Sequence, residues 1–221
     1  MDHGCRARPA GFEGAETKAP ATRRPRKSAE ETRIEILNTA ERLFRTHGYA
    51  SVAIADIAAE ISMSPANVFK HFRTKTSLVD AIATRAIEET VDSLRELSRD
   101  CPAPDRLLAL ARRLMQEHLS GRMDAPFVFE MILVTISEEL DCGDRFRHMV
   151  VEVIADIIEQ GRREGVYHVT DVPRFANAAF DALACVIHPV MTGLENADIM
   201  ATRCNDVVAL IDAALRLPLV K

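Results

Sequence analysis

No apolar run in this 221-residue chain approaches the roughly 18 residues that cross a bilayer, so a membrane span is not expected. Its start, "MDHGCRARPAGFEG", lacks the apolar stretch of a secretory leader. Five cysteines, Cys5, Cys101, Cys142, Cys185 and Cys204, are odd in number and include no C-x-x-C pair. A disulfide framework or zinc knuckle is thereby disfavoured, and reduced thiols in a cytoplasmic protein are the expectation. There is no G-x-S-x-G elbow, no Walker loop, no Rossmann fingerprint and no Cys–His pair that would nominate a catalytic centre. His118, His148, His168 and His188 fall on different predicted elements without metal-ligand spacing. No enzyme, metal or cofactor is therefore expected. Strand patterning is scarce too: "VYHVT" comes nearest, and it is too isolated to build a sheet.

What is present is a helical pattern on a sizeable apolar fraction, 48% of residues. The net charge of −5 hides an asymmetry. Residues 1–80 carry 13 Lys+Arg against 10 Asp+Glu, and the remaining 15 against 23 fall in residues 81–221. A mildly basic front joined to an acidic remainder puts any nucleic-acid contact at the front. Residues 1–29 have no apolar period and read as a disordered basic tail, ending in Arg23, Arg24, Arg26 and Lys27. The tail is either a solvated leader or an arm laid on a phosphate backbone.

From Thr32 the three- and four-residue spacing of Ile34, Leu37, Ala40, Leu43, Phe44 and His47 predicts a first helix, stopped by Gly48. A short second helix is expected over 53–61, with Ser51 as a candidate cap. In "SPANVFKHF" Ser64 caps a third helix and Pro65 takes its first position, where no amide donor is needed. A longer helix follows over 76–99. Further helices are expected near 104–120, 126–140, 144–164, 172–191 and 196–216, separated by Gly, Pro and Asp turns. The reading is all-α, with a helix-turn-helix domain over 30–76 and a larger helical domain over 77–221.

Two short helices joined by a tight turn, the second tipped with polar groups, form a helix-turn-helix. A major groove admits one α-helix, and only exposed side chains can meet base edges. Asn67 suits an adenine edge, Lys70 or His71 suits guanine acceptors or phosphate, and Ala66 is small enough for a thymine methyl. Val68 and Phe72 point the other way and pin the helix, in this reading, onto Ile34, Leu37 and Ile57.

Residues 33–80, "ILNTAERLFRTHGY", "IADIAAEISMS" and "PANVFKHFRTKTSLVDAI", resemble the tetracycline-repressor (TetR) family of transcriptional regulators. Val68 to Leu78 follows its Leu-Tyr-x-His-Phe-x-x-Lys-x-x-Leu pattern. The chain departs from the family at Phe69 (usually Tyr), at Ser62 (usually Gly) and at Val52–Ala53 (often Thr or Ser). The resemblance implies a homodimer that represses from a near-palindromic operator and is released by a small molecule in the C-terminal domain. It also implies groove-facing roles for Ser64, Ala66, Asn67, Lys70 and His71. Phosphate-facing roles fall to Ser51, Phe69, Lys75 and Thr76, with Arg33 and Arg73 beside them.

The last two helices carry wide, Ala-rich apolar faces, which suit either the monomer core or a four-helix dimer interface. The resemblance favours the dimer, with Ala178, Ala182, Val186, Val208, Ile211 and Leu215 as its candidates. Met115, His118, Phe127, Met131, Val134, Met149 and Val153 offer a flexible apolar lining for an apolar or aromatic effector, although such residues also build ordinary core. Glu130 and Glu138 could meet a cation if they point inward, but a solvated face is the expectation. The alternative is a DNA-binding regulator controlled by a protein partner or by thiol oxidation, with Cys101 and Cys142 as the loop thiols.

Overall fold

The computed structural model describes residues 28–124, 127–188 and 196–217, the side chains of 118–124 excepted. Every regular element among them is an α-helix, in agreement with the sequence pattern. In chain order they are α1 (Ala29–His47), α2 (Ile54–Glu60), α3 (Pro65–His71), α4 (Lys75–Arg95) and α5 (Ala103–Asp124). They continue as α6 (Val128–Ser137), α7 (Cys142–Arg163), α8 (Val172–Ile187) and α9 (Ala197–Arg216). The basic cluster Arg23, Arg24, Arg26 and Lys27 lies outside the described residues.

Local chemistry sets the boundaries of the first four helices. At α1, Ser28 Oγ accepts the Glu31 N–H at 3.1 Å while Glu31 accepts the Ser28 N–H at 2.7 Å, a reciprocal capping box. The helix stops at Gly48, whose φ of +86° suits a residue without a Cβ. Ser51 does not cap α2. No side chain accepts the first-turn amides there; the Asp56 carboxylate instead reaches back and accepts the N–H of the N-cap residue, Ala53, at 2.7 Å. Ser64 caps α3 as expected, its Oγ accepting the Asn67 N–H at 3.3 Å, with Pro65 in the first turn. Thr74 and Ser77 cap α4.

The turn between α2 and α3 is built around Ser62, whose φ of +55° lies in the left-handed region. Its side chain is exposed, so nothing in the packing repays that conformation. For an L-residue this backbone costs about 1–2 kcal/mol, part of which glycine returns as unfolded-chain entropy. Ser62→Gly should therefore raise stability by about 0.5–1 kcal/mol. Urea unfolding checks this, and a lower midpoint in the variant contradicts it.

Two hydrophobic clusters form, and α4 belongs to both. The first joins Ile36, Ala40, Phe44, Ile57, Val68 and Phe72 to Leu78 and Ile82 at the start of α4. Contrary to expectation, Ile34 is 46% exposed, and Ile36 and Leu37 supply the inward positions. On a helix with Ile at both 34 and 36, spacing alone does not decide which one faces in. The second cluster joins Val91 and Leu94 of α4 to α5, α7, α8 and α9. The apolar division thus runs through the middle of α4.

The dimer candidates also need correction. Val186, Val208, Ile211 and Leu215 are buried in the chain's own core, so they do not present themselves to a second chain. Only Ala178 and Ala182 of that set are exposed. The reason is that α9 carries two apolar rows. Met200, Cys204, Val208, Ile211 and Leu215 recur at three- and four-residue steps and pack inward. Ile199, Leu210 and Leu217 remain on the outside.

Candidate nucleic-acid interface

Burial fixes the orientation of α3. Val68 and Phe72 are almost fully covered by α1 and α2, which leaves Ser64, Ala66 and Lys70 exposed and Asn67 and His71 half-buried. All five expected groove-facing residues therefore sit on one short helix and its cap. From Ile61 to Val79 the sequence holds Lys70, Arg73 and Lys75 and no acidic residue. Nearby carboxylates are engaged elsewhere: Glu60 pairs with Arg42 at 2.7 Å and Glu41 with Arg45 at 2.8 Å. The surface offered by α3 and the following turn is cationic at its tip.

Not every expected contact residue is free. The Asn67 Nδ2 donates to the Met63 sulfur at 3.4 Å. A thioether is a weak acceptor, easily exchanged for a base edge. Arg33 donates to the His71 carbonyl at 3.1 Å and stacks its guanidinium over the Phe72 ring at 4.2 Å. It ties the end of α3 to α1. Lys75 turns inward, its ammonium donating to the Tyr49 carbonyl and lying 4.1 Å from the Tyr49 ring centroid. Partial burial lowers its pKa, opposed by the Glu130 and Asp56 charges. Lys75 thus braces the loop between α1 and α2, a role its place in the motif does not reveal. The Thr76 hydroxyl shares a 2.9 Å hydrogen bond with that of Thr74. Ser51, Phe69 and Arg73 remain exposed beside them.

The residue that sequence reasoning missed is Glu130. Far from a solvated face, its carboxylate on α6 accepts the backbone N–H of Tyr49 at 2.8 Å and that of Ala50 at 2.9 Å. Gly48 makes this approach possible. A Cβ there would lie 2.9 Å from Glu130 Oε2 and 3.0 Å from the Phe127 ring. Burial first, then the Glu138 and Glu130 charges, raises the Tyr49 pKa. The one acidic residue of a mostly apolar ten-residue helix, far in sequence from its partners, gives only a faint signal.

The expected effector lining does not assemble. Met131 and Val134 of α6 pack into the first cluster with α1 and α4, and Phe127 lies against Gly48. Met115, Met149 and Val153 belong to the second cluster. The His118 side chain is outside the described residues. A short helix that is apolar nearly all round does not announce which face it buries, and α6 turns Met131 and Val134 towards α1 and α4.

Two family models match the chain. "Bacterial regulatory proteins, tetR family" covers residues 36–82, and "Tetracyclin repressor-like, C-terminal domain" covers residues 103–208. The chain belongs to the TetR family. Among TetR-family relatives, the HTH-type transcriptional regulator TtgR of Pseudomonas putida is 34% identical over 94 residues. Those residues are 42% of this chain and 44% of TtgR, so the match spans less than half the length of that relative. The fold is shared with Thermus thermophilus FadR in complex with lauroyl-CoA, at 16% identity and a TM-score of 0.61, covering 85% of this chain and 97% of FadR. It is also shared with RolR in complex with resorcinol, at 15% identity and a TM-score of 0.57, covering 87% and 96%.

The thiols of this TetR-family chain differ sharply. Cys142 is buried, and burial together with the neighbouring Asp80 carboxylate pushes its thiol up to about 11. Cys101 is exposed. Since the thiolate is the reactive form, iodoacetamide near neutral pH should label Cys101 and spare Cys142 in the native protein. Peptide mass spectrometry reads the result, and equal labelling would contradict it.

Proposed function

We propose that the protein is a ligand-responsive transcriptional repressor that binds a near-palindromic operator as a homodimer through α3. The observation that carries this reading is the orientation of α3: its apolar side is sealed into the domain, while Ala66, Asn67, Lys70 and His71 line the other side. Nothing in folding a small domain calls for an acid-free, polar-tipped helix held outward. A groove full of base edges between phosphates does.

In this reading the operator contacts divide by chemistry. Asn67 and Lys70 read base edges from the first two turns of α3, and Ala66 packs on a thymine methyl. Ser51, Phe69, Arg73 and Thr76 border the phosphates. Arg33 and Lys75 act mainly by holding α3 and the preceding loop in place, with phosphate contact as their second role. The tail cations, outside the described residues, add salt-dependent affinity. The dimer forms through the outer surfaces of α8 and α9, using Ala178, Ala182 and the exposed Leu210 instead of the core residues beneath them.

A dimer reads two half-sites only when its two α3 helices match major grooves about 34–36 Å apart. Any small molecule that favours a different spacing releases DNA by that difference in affinity alone. The Glu130 clasp provides the mechanical link, because α6 holds the loop that leads into α2. An apolar or aromatic effector is supported by the chemistry of resorcinol and the lauroyl chain in the structures of RolR and FadR. Control by a partner protein or by oxidation of the exposed Cys101 is the second reading.

Titration of the purified full chain into its own upstream DNA tests the proposal. Two chains per site, competed away by specific but not by random DNA, is the expected result. Binding without sequence preference would overturn it.

A further inference from the structure

Between the end of α4, the first turn of α5 and the middle of α7 lies a recess of about 250 Å³ lined by Arg95, Arg99, Arg106, Glu152, Val153 and Asp156. Three guanidiniums there share two carboxylates. Asp156 serves both Arg99, at 3.3 Å, and Arg106, at 3.4 Å, and Glu152 stands 3.6 Å from Arg95. These separations exceed the 2.7–2.9 Å or so of a strong charge-assisted bond. Arg95 also reaches Asp92 at 3.1 Å, on the exposed side of α4.

Arg106 is the unusual member. It is 2% exposed, and its Nη1 donates to the neutral carbonyl of Gln160. Its Nε is buried without a hydrogen-bond partner. A buried guanidinium normally has its donors met and its charge closely paired, because an unmet donor or charge is costly away from water. Here the one carboxylate that pairs with it directly among the described residues, Asp156, is shared with a second arginine at long range. The nearby Glu164 is engaged by the Ala103 amide and Gln160.

We propose that this recess is a binding site for an oxyanion, the carboxylate or phosphate group of a small-molecule effector. The anion completes the coordination of Arg106 and Arg99, with Arg95 closing from the α4 side. The volume admits an anionic head group or a small organic acid. The apolar wall is Val153, the one residue of the expected effector lining that borders the recess. Arg95 belongs to α4, the same helix that begins beside α3, so the ligand's charge would act on the element that joins both clusters. This deepens the effector reading and rests on it for the regulatory meaning of the site. Anion binding itself requires no DNA.

The test is calorimetric titration of the full chain with inorganic phosphate and, separately, with succinate, each against chloride at equal ionic strength. Saturable binding of one anion per chain is expected, and the stronger arm identifies phosphate or carboxylate as the ligand group. Arg99→Gln, at a largely exposed position, should weaken it by about tenfold or more, and Arg106→Gln should abolish it. If Arg106→Gln does not fold, the Arg95→Gln/Arg99→Gln double variant carries the test through exposed positions only. Binding no different from chloride in both arms, or full binding in the double variant, overturns the proposal. Operator titration of the same preparation separates the two readings, since loss of either leaves the other measurable.

Discussion

Replacing Asn67 or Lys70 by alanine is expected to lower operator affinity by about 1–3 kcal/mol each, roughly 5- to 150-fold. Both side chains lie on the outward side of α3, so their loss leaves the packing of Val68 and Phe72 untouched. Asn67→Ala gives up a contact with the Met63 sulfur, a weak bond whose loss costs little stability. The two variants should fail in different ways. Asn67→Ala should relax sequence preference at one position of each half-site, since a bidentate amide discriminates adenine. Lys70→Ala should either do the same at a guanine or, if it meets phosphate, weaken all sequences alike and flatten the salt slope by about 1. Binding curves at several salt concentrations, on operator and on single-base variants, make the distinction. Wild-type affinity in both variants would contradict the assignment.

Glu130→Ala is expected to have the second large effect, and on a different property. It removes one carboxylate that receives two backbone amides, at 2.8 and 2.9 Å. Hydrogen bonds to a charged group contribute about 1.5–3 kcal/mol each, and the loop is partly open to water, so a loss of about 2–4 kcal/mol is expected. The damage should be local. The Tyr49 and Ala50 amides should exchange with solvent faster, while those in the core of α7 keep their protection. In the full chain the same variant should blunt the effector's influence on DNA binding, because α6 would no longer hold the loop before α2. Unchanged exchange at Tyr49 and Ala50 would contradict the clasp.

These two predictions draw on signals of very different legibility. Asn67 and Lys70 could be picked out from the sequence because α3 announces itself locally. Ser64 and Pro65 mark its start, and the alternation of Val68 and Phe72 with polar residues marks its buried side. Capping and amphipathic spacing act over a few residues, so a single chain records them well. Glu130 reaches a loop eighty residues away, and nothing in its own surroundings points there. The same limit explains the effector lining. Met131, Val134 and Val153 all have the right chemistry, but which cluster each joins depends on how α6 is turned against α1 and α4. The misplaced dimer residues follow a related rule. A helix with two apolar rows shows that two surfaces are buried without showing which row faces its own chain. Lys75 teaches the reverse lesson. It opens α4, as its place in the motif implies, yet its side chain is committed to Tyr49.

The inward turn of Lys75 and the clasp at Glu130 converge on one loop, Gly48 to Ala53, which sets where α2 and hence α3 stand. Lys75 holds it from the α4 side through the Tyr49 carbonyl. Glu130 holds it from α6 through the two amides that follow. Gly48 keeps the space between them open, since any Cβ would meet Phe127 and Glu130. In the proposed reading a change at α4 or α6 reaches α3 through these hydrogen bonds to the loop. The oxyanion recess, at the far end of α4, is placed to exert such a change.

The central claim is that two copies of α3 read two half-sites of one operator. The most direct measurement is hydroxyl-radical footprinting of the full chain on its upstream DNA. Two protected tracts centred one helical turn apart, about 34–36 Å, or a multiple of it, and both lost in the Asn67→Ala/Lys70→Ala double variant, is the predicted result. A uniform, position-independent protection that the double variant leaves unchanged would contradict it.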